Sequence, residues 1–204
     1  FGVKGSSLDD KFVLRLAAFY MYREDMQLKS WQVEGQKFTG YIDNASSGEN
    51  YGLEIEGSFQ ATDNLLLTGS AGYLHTEIND FVAQSGLDQD GRDQAQAPKY
   101  QYAFTARYNF TPALYASIGI EGKDDYYFSD SHNSKAPNSN LVNASFGYES
   151  DNWSINAWAR NLFDEDVPTR GFEFGNDPLD GYTTHTYTQL GEPMVAGVTF
   201  IYEL

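Results

Sequence analysis

Apolar and polar residues alternate with a period of two along most of this chain, the signature of strands that turn one face to apolar surroundings and the other to polar ones. Tyr51, Leu53, Ile55 and Phe59 alternate with Glu54, Glu56, Ser58 and Gln60. Tyr100, Tyr102, Phe104, Ala106, Tyr108 and Phe110 are set against Gln101, Thr105, Arg107 and Asn109. Leu114, Ala116, Ile118 and Ile120 stand against Tyr115, Ser117, Glu121 and Lys123, and Val142, Ala144, Phe146 and Tyr148 against Asn143, Ser145 and Glu149. The pattern predicts nine strands, over 11–23, 26–34, 50–60, 65–76, 100–110, 114–126, 141–149, 152–160 and 194–204. In the second of these, Trp31, Gln32 and Val33 break the alternation.

The connections alternate in length. Short turns are predicted at Glu24-Asp25, Ala61 to Asn64, Thr111-Pro112 and Ser150-Asp151, where Asp, Asn and Pro supply turn geometry. Long connections fall at 35–49, 77–99, 127–140 and 161–193. Bacterial transmembrane barrels have short periplasmic turns and long extracellular loops, so this alternation orients the chain: strand 11–23 and strand 194–204 both descend towards the periplasm. The strands are longer than the usual five or six residues, and their apolar face is rich in Tyr and Phe, as an interfacial girdle requires. The fold class is therefore all-β, an antiparallel transmembrane β-barrel, with a soluble β-sandwich or lipocalin-like barrel as the alternative. An odd number of antiparallel strands sets the first and last parallel, so nine cannot close on themselves as an up-and-down barrel, and the pattern reads as part of a larger one.

Several short runs, in order, add a resemblance. Ala-Phe-Tyr-Met-Tyr-Arg-Glu-Asp-Met-Gln at 18–27, Asn44-Ala45 and Tyr51-Gly-Leu-Glu-Ile-Glu-Gly57 resemble the middle of the barrel of TonB-dependent receptors. Gly72-Tyr73-Leu74, Ala97-Pro98-Lys99-Tyr100, Tyr126-Tyr127-Phe128, Gly147-Tyr148-Glu149 and Ala159-Arg160-Asn161-Leu162-Phe163-Asp164 continue it, and Gln189 to Pro193 followed by Gly197 to Leu204 looks like that family's terminal strand. The resemblance implies that residues 1–204 are the C-terminal portion of a receptor barrel, about nine strands of a 22-stranded, plugged barrel. The family's plug and the motif that engages TonB have no counterpart in this sequence, and Leu204 stands where the family commonly ends on an aromatic residue.

Composition narrows the function. A net charge of −16 with only 13 scattered basic residues argues against nucleic acid as a partner, because phosphate binding needs clustered Lys and Arg. No apolar stretch approaches the roughly 18 residues of a membrane helix, the longest clean run being Leu16 to Tyr22, but barrel strands need only about 9–11 residues. The absence of Cys excludes thiol chemistry and Cys-ligated metal, and three separated histidines, His75, His132 and His185, leave a thin catalytic inventory.

The chemistry-bearing candidates lie mostly in the long connections. Asp88, Asp90 and Asp93 space oxygen ligands in a turn in a way that could suit Ca²⁺, although the EF-hand glutamate is absent; a solvated acidic loop is the plainer reading. The same holds for Asp164, Glu165, Asp166, Asp177 and Asp180. Glu54 and Glu56 share the polar face of a strand and read as lumen wall rather than an acid–base pair, and Arg15, Arg107, Lys123 and Arg160 fall on the same phase, where they can contact a plug. Asn161 to Arg170 opens the longest loop and reads as a brace. Beyond it lie Phe172, Phe174, Tyr182 and Tyr187, aromatic residues whose exposure in a loop needs a partner.

The expectation is a transporter with no enzymatic activity and no cofactor: an outer-membrane, TonB-dependent receptor of a Gram-negative bacterium importing a scarce nutrient. The cargo expected first is a ferric siderophore, since iron complexes are the family's commonest cargo, and second an oligosaccharide; clustered loop carboxylates would repel a strongly anionic catecholate complex over a Debye length of about 8 Å. Tyr126, Tyr127, Phe172, Phe174 and Tyr182 are the candidate ligand contacts, with packing of the loops on one another or on the plug as the alternative. The implied partners are outer-membrane lipid, the plug, TonB, and the barrel-assembly machinery during biogenesis. A passive porin-like channel and a surface β-sandwich that binds carbohydrate are the competing readings.

Overall fold

The computed structural model describes residues 1–7, 11–34, 37–44, 47–83 and 86–203. β1 (Gly2–Ser7) pairs antiparallel with β2 (Phe12–Glu24). The chain then leaves the sheet to make a separate hairpin of β3 (Gln27–Glu34) and β4 (Lys37–Asn44) and returns as β5 (Ser47–Thr62), which pairs with β2 from Phe12 opposite Phe59 to Glu24 opposite Ser47. β6 (Leu65–Asn79), β7 (Tyr100–Asn109) and β8 (Leu114–Lys123) follow as neighbours in the sheet. A small hairpin of β9 (Tyr126–Tyr127) and β10 (Lys135–Ala136) separates β8 from its next sheet neighbour, β11 (Ser139–Glu149). β12 (Trp153–Arg160) is separated from β15 (Val195–Tyr202) by a third hairpin, of β13 (Pro168–Phe174) and β14 (His185–Leu190). The result is one nine-stranded antiparallel sheet in chain order, with β1 and β15 at its edges.

One face of the sheet is apolar and bare. Leu53, Ile55, Phe104, Ile118, Ile120, Phe146, Ile155, Val198 and Phe200 all stand exposed on it. An apolar surface this continuous has no place in water, and lipid is the medium that matches it. Aromatic side chains edge the band. Tyr20, Tyr51, Tyr73 and Tyr100 lie at the end nearer the hairpin-bearing loops, and Tyr108, Phe110, Tyr148, Trp153, Phe200 and Tyr202 at the other, with Trp153 stacked on Tyr148 at 5.3 Å. Two aromatic girdles flanking an aliphatic band mark the two membrane interfaces.

The opposite face is polar and concave. Arg15, Glu54, Glu56, Ser70, Gln101, Glu121, Lys123, Asn143 and Arg160 line it, and ion pairs tie it together: Arg15–Glu56 at 2.7 Å and Arg107–Glu149 at 3.1 Å between strands, and a two-pronged contact at 2.7 and 2.8 Å from Arg160 to Glu192 in the connection before β15. These pairs are solvated, so each adds at most about 1 kcal/mol, and their larger effect is on the charge pattern presented inward. The four cations expected on this phase, Arg15, Arg107, Lys123 and Arg160, all contribute to it, with Arg107 also lying over the Tyr115 ring at 3.6 Å.

Two elements differ from the sequence reading. Residues 27–34 are a strand, but not of the sheet; they pair with β4 in a hairpin above it, and Glu24-Asp25 is the start of a long loop rather than a short turn. Asp25, in the left-handed region at φ 50°, bends the chain out of β2 at that point. Residues 2–7 supply the ninth strand instead. Strand 12–24 therefore ascends, and β1 takes the descending role expected of it; the long connections become 25–46, 80–99, 124–138 and 161–194, all at one end of the sheet. Leu204 and Ala45 lie outside the described residues, as do the side chains of Trp31, Gln32 and Val33.

Phe104 offers a quantitative check on which face meets lipid. It lies four residues from both Tyr100 and Tyr108 on the same face, midway between the girdles, and its ring covers Gly69 of the neighbouring strand so closely that a Cβ there would come within 2.4 Å. Phe104→Arg is expected to destabilise the barrel by about 2–4 kcal/mol, as for a cation at the bilayer midplane, whereas Phe200→Arg in the girdle costs only about 0–1 kcal/mol. Equilibrium unfolding of the full receptor from lipid vesicles measures both; equal losses would contradict this placement of the band.

Candidate ligand-binding surface

The long connections at the open end of the sheet are not independent. Loop 80–99 and loop 124–138 interlock: Gln96 donates from its backbone N to Tyr127 O and from its side chain to Phe128 O, both at 2.9 Å, and Ala95 N donates to Asp130 Oδ1 at 3.1 Å. Arg92 is buried between them, its guanidinium donating to Asn133 Oδ1 at 3.1 Å and to Ser129 O at 2.5 Å, while the buried Gln89 amide donates to Asp130 O. Burial lowers the Arg92 pKa and raises that of Asp130, and the attraction between the two charges, with the Ala95 N–H donated to Asp130, opposes part of this desolvation. Beneath loop 80–99, Met26, Leu28, Ile78, Phe81 and Ala83 form a small apolar core that fastens the start of β3 to it.

Loop 124–138 in turn supports the β13–β14 hairpin. Tyr126, Phe128 and Ala136 are buried together, and Gly171 lies flat on the Phe128 ring, where a Cβ would meet ring carbon at 2.3 Å. Ser134 Oγ bonds to Glu173 and lies 3.1 Å from Thr186 Oγ1. His132, buried beside them, accepts from Ser134 N through Nδ1 and has Glu173 at 3.9 Å; desolvation lowers its pKa from the ordinary histidine value. At the base of the hairpin Asn161 is buried, with φ 48°, and its side chain spans Glu165 N, Glu165 O and Glu192 O at 2.9 to 3.1 Å. That makes it a brace at the top of β12.

One face of the hairpin is used up by this support. The other presents a ladder of three rings: Phe172 over Phe174 at 5.4 Å and 14°, Phe174 against Tyr187 at 4.7 Å, and Tyr187 against Phe172 at 5.9 Å, with Tyr187 directly opposite Phe172 in register. Phe172 is half exposed. Three near-parallel aromatic faces on a hairpin fixed from behind form a platform for a planar or ring-shaped ligand.

The five residues singled out from sequence fall in different places. Phe172 and Phe174 come together, and Tyr187, which is not one of the five, completes their ladder. Tyr126 is buried under the hairpin, its hydroxyl 3.5 Å from Thr169 O. Tyr127 has cations against its ring, Arg92 at 4.0 Å and Lys135 at 4.5 Å. Tyr182 is exposed but stands after the short helical turn of Pro178–Asp180, at φ 60°, apart from the ladder. Among the acids, Asp177 caps that turn and Asp180 pairs with His185 at 2.7 Å, a bond that lowers the Asp180 pKa. The calcium candidates do not converge: Asp88 accepts from Asp90 N, Asp90 from Asp80 N, and Asp93 pairs with Lys99 at 3.3 Å.

A two-girdled antiparallel sheet with a charged inner face and interlocked loops at one end defines a segment of an outer-membrane barrel wall. The chain belongs to the family of TonB dependent receptor-like β-barrels, which it matches over residues 1–162. Its fold is similar to that of the siderophore receptor PiuA from Acinetobacter baumannii (TM-score 0.71, 19% identity, 98% of this chain and 27% of that one). It is also similar to the ferric yersiniabactin uptake receptor FyuA from Yersinia pestis (0.76, 17%, 98% and 28%) and to the copper transporter OprC (0.75, 17%, 98% and 30%). The chain thus spans between a quarter and a third of the length of these receptors. Its localisation is the outer membrane of a Gram-negative bacterium.

Proposed function

We propose that the chain forms part of the barrel wall and extracellular binding surface of a TonB-dependent importer, with no bond made or broken in the substrate. The Phe172–Phe174–Tyr187 ladder carries this reading, because it is a rigidly supported, solvent-facing aromatic surface at the loop end of a membrane-spanning sheet. A ferric siderophore is the cargo we favour. Its ring systems suit the platform, and two structural relatives, a siderophore receptor and a ferric yersiniabactin uptake receptor, point the same way. An oligosaccharide, stacking its sugar faces on the same rings, is the second reading. The paired charges of the inner wall suit contact with a plug whose movement, driven through TonB, admits the cargo.

The test is ligand binding by the full receptor carrying Phe172→Ala, Phe174→Ala and Tyr187→Ala together. Loss of stacking worth about 0.5–1.5 kcal/mol per ring pair is expected to weaken binding by about tenfold or more. The barrel should still migrate as a folded, heat-modifiable species. Unchanged affinity for both ferric siderophores and oligosaccharides would remove the platform from the binding site.

A further inference from the structure

On the lipid-side phase, at the loop end of the wall, three metal-ligating side chains converge. Glu49 on β5 and His75 and Glu77 on β6 place one ligand atom each within 4.8 Å of the others, each side chain half-buried. His75 Nε2 is already 3.4 Å from Glu77 Oε2, close to the roughly 3.3 Å that separates ligand atoms around a tetrahedral ion with bonds of about 2.0–2.1 Å. The positions are set by the sheet itself, since Tyr51 is opposite His75 and Glu49 opposite Glu77 in the β5–β6 register.

Two further observations set this group apart from an ordinary patch of surface acid. Glu49 and Glu77 face each other directly across the ladder, an arrangement of like charges that destabilises a strand pair, and no Lys or Arg among the described residues lies within ion-pair distance of either. The ligands are also held in orientation from outside: the Tyr51 ring stacks on His75 at 4.5 Å and 27°, and the Tyr20 hydroxyl donates to Glu49 Oε2 at 3.2 Å. Supporting contacts of this kind fix first ligands in metal sites.

We propose that Glu49, His75 and Glu77 bind a first-row divalent transition ion such as Zn²⁺ on the outer wall of the barrel, at the level of the loop-side tyrosines. One imidazole and two carboxylates favour such an ion over Ca²⁺ or Mg²⁺, which take oxygen ligands alone. Three protein ligands leave a fourth position open to solvent. The ion cancels the opposed carboxylates and clamps β5 to β6 where loop 80–99 leaves the wall. This site is separate from the aromatic platform and stands whatever the receptor imports.

The experiment titrates ZnCl₂ into chelator-stripped full receptor in detergent, by calorimetry, beside a His75→Gln/Glu77→Gln variant and a Glu49→Gln variant, each checked for heat-modifiable migration. Wild type is expected to bind about one more ion per chain than the double variant, and Glu49→Gln to weaken that ion by about tenfold or more. Equal stoichiometry and affinity in all three would overturn the proposal. Should a variant fail to fold, carbethoxylation of the wild-type protein mapped by mass spectrometry decides. Zn²⁺ must protect His75 more than the exposed His185, and equal modification of His75 with and without Zn²⁺ refutes the site.

Discussion

Deleting Val195–Tyr202 from the full receptor is expected to abolish barrel insertion. β15 pairs with β12 along the whole of both strands, from Trp153 opposite Tyr202 to Arg160 opposite Val195. Its removal leaves the ladder of β12 facing hydrocarbon, where each unpaired backbone N–H or C=O costs several kcal/mol and no water replaces the partner. The sum exceeds the marginal stability of any domain, so the loss should be all or none rather than graded. Val198, Phe200 and Tyr202 leave the lipid face at the same time. Outer-membrane fractions should contain no heat-modifiable species from the deletion; a normal folded band would mean that the β12–β15 ladder is dispensable and the sheet as described is wrong.

Strand existence was legible in the sequence wherever one face meets lipid and the other a polar lumen, because that contrast is what period-two alternation records. β5, β7, β8 and β11 show it, and the structure places them within a few residues of the ranges read from Tyr51, Tyr100, Leu114 and Val142. Strand partnership was less legible. Residues 27–34 have strand character whether they pair with β2's neighbour in the membrane or with 37–44 above it, since a hairpin in a loop and a hairpin in the wall obey the same local rules. β1 went unread for the opposite reason. Gly2, Lys4, Gly5, Ser6 and Ser7 leave Val3 as its one large apolar side chain, and the strand is specified by its pairing with β2.

The candidate surface was legible as composition but not as geometry. The aromatic richness of 161–193 is plain from sequence, and two of the five selected residues do meet in the ladder. That Tyr187 joins them depends on the β13–β14 register, which shifts by one residue between Pro168 and Arg170. Tyr126 and Tyr127 stand out in sequence as aromatic residues of a loop, yet the Thr169 carbonyl over the first is 43 positions away and the Arg92 guanidinium over the second comes from loop 80–99. The Glu49–His75–Glu77 group was invisible for the same reason: it exists only once β5 and β6 are in register.

The orientation of the sheet is the claim on which the rest depends, because it decides that the interlocked loops and the aromatic ladder face the outside of the cell. The chain contains no cysteine, so single substitutions give unique labelling sites within it. Leu179→Cys sits on the hairpin loop at a position 95% exposed, whereas Asn64→Cys and Thr111→Cys sit in the β5–β6 and β7–β8 turns at the opposite end of the sheet. Treating intact cells that express the full receptor with a membrane-impermeant maleimide should label Leu179→Cys completely and the two turn variants only after the outer membrane is permeabilised. Labelling of the turn variants on intact cells, with Leu179→Cys protected, would invert the barrel and contradict the account.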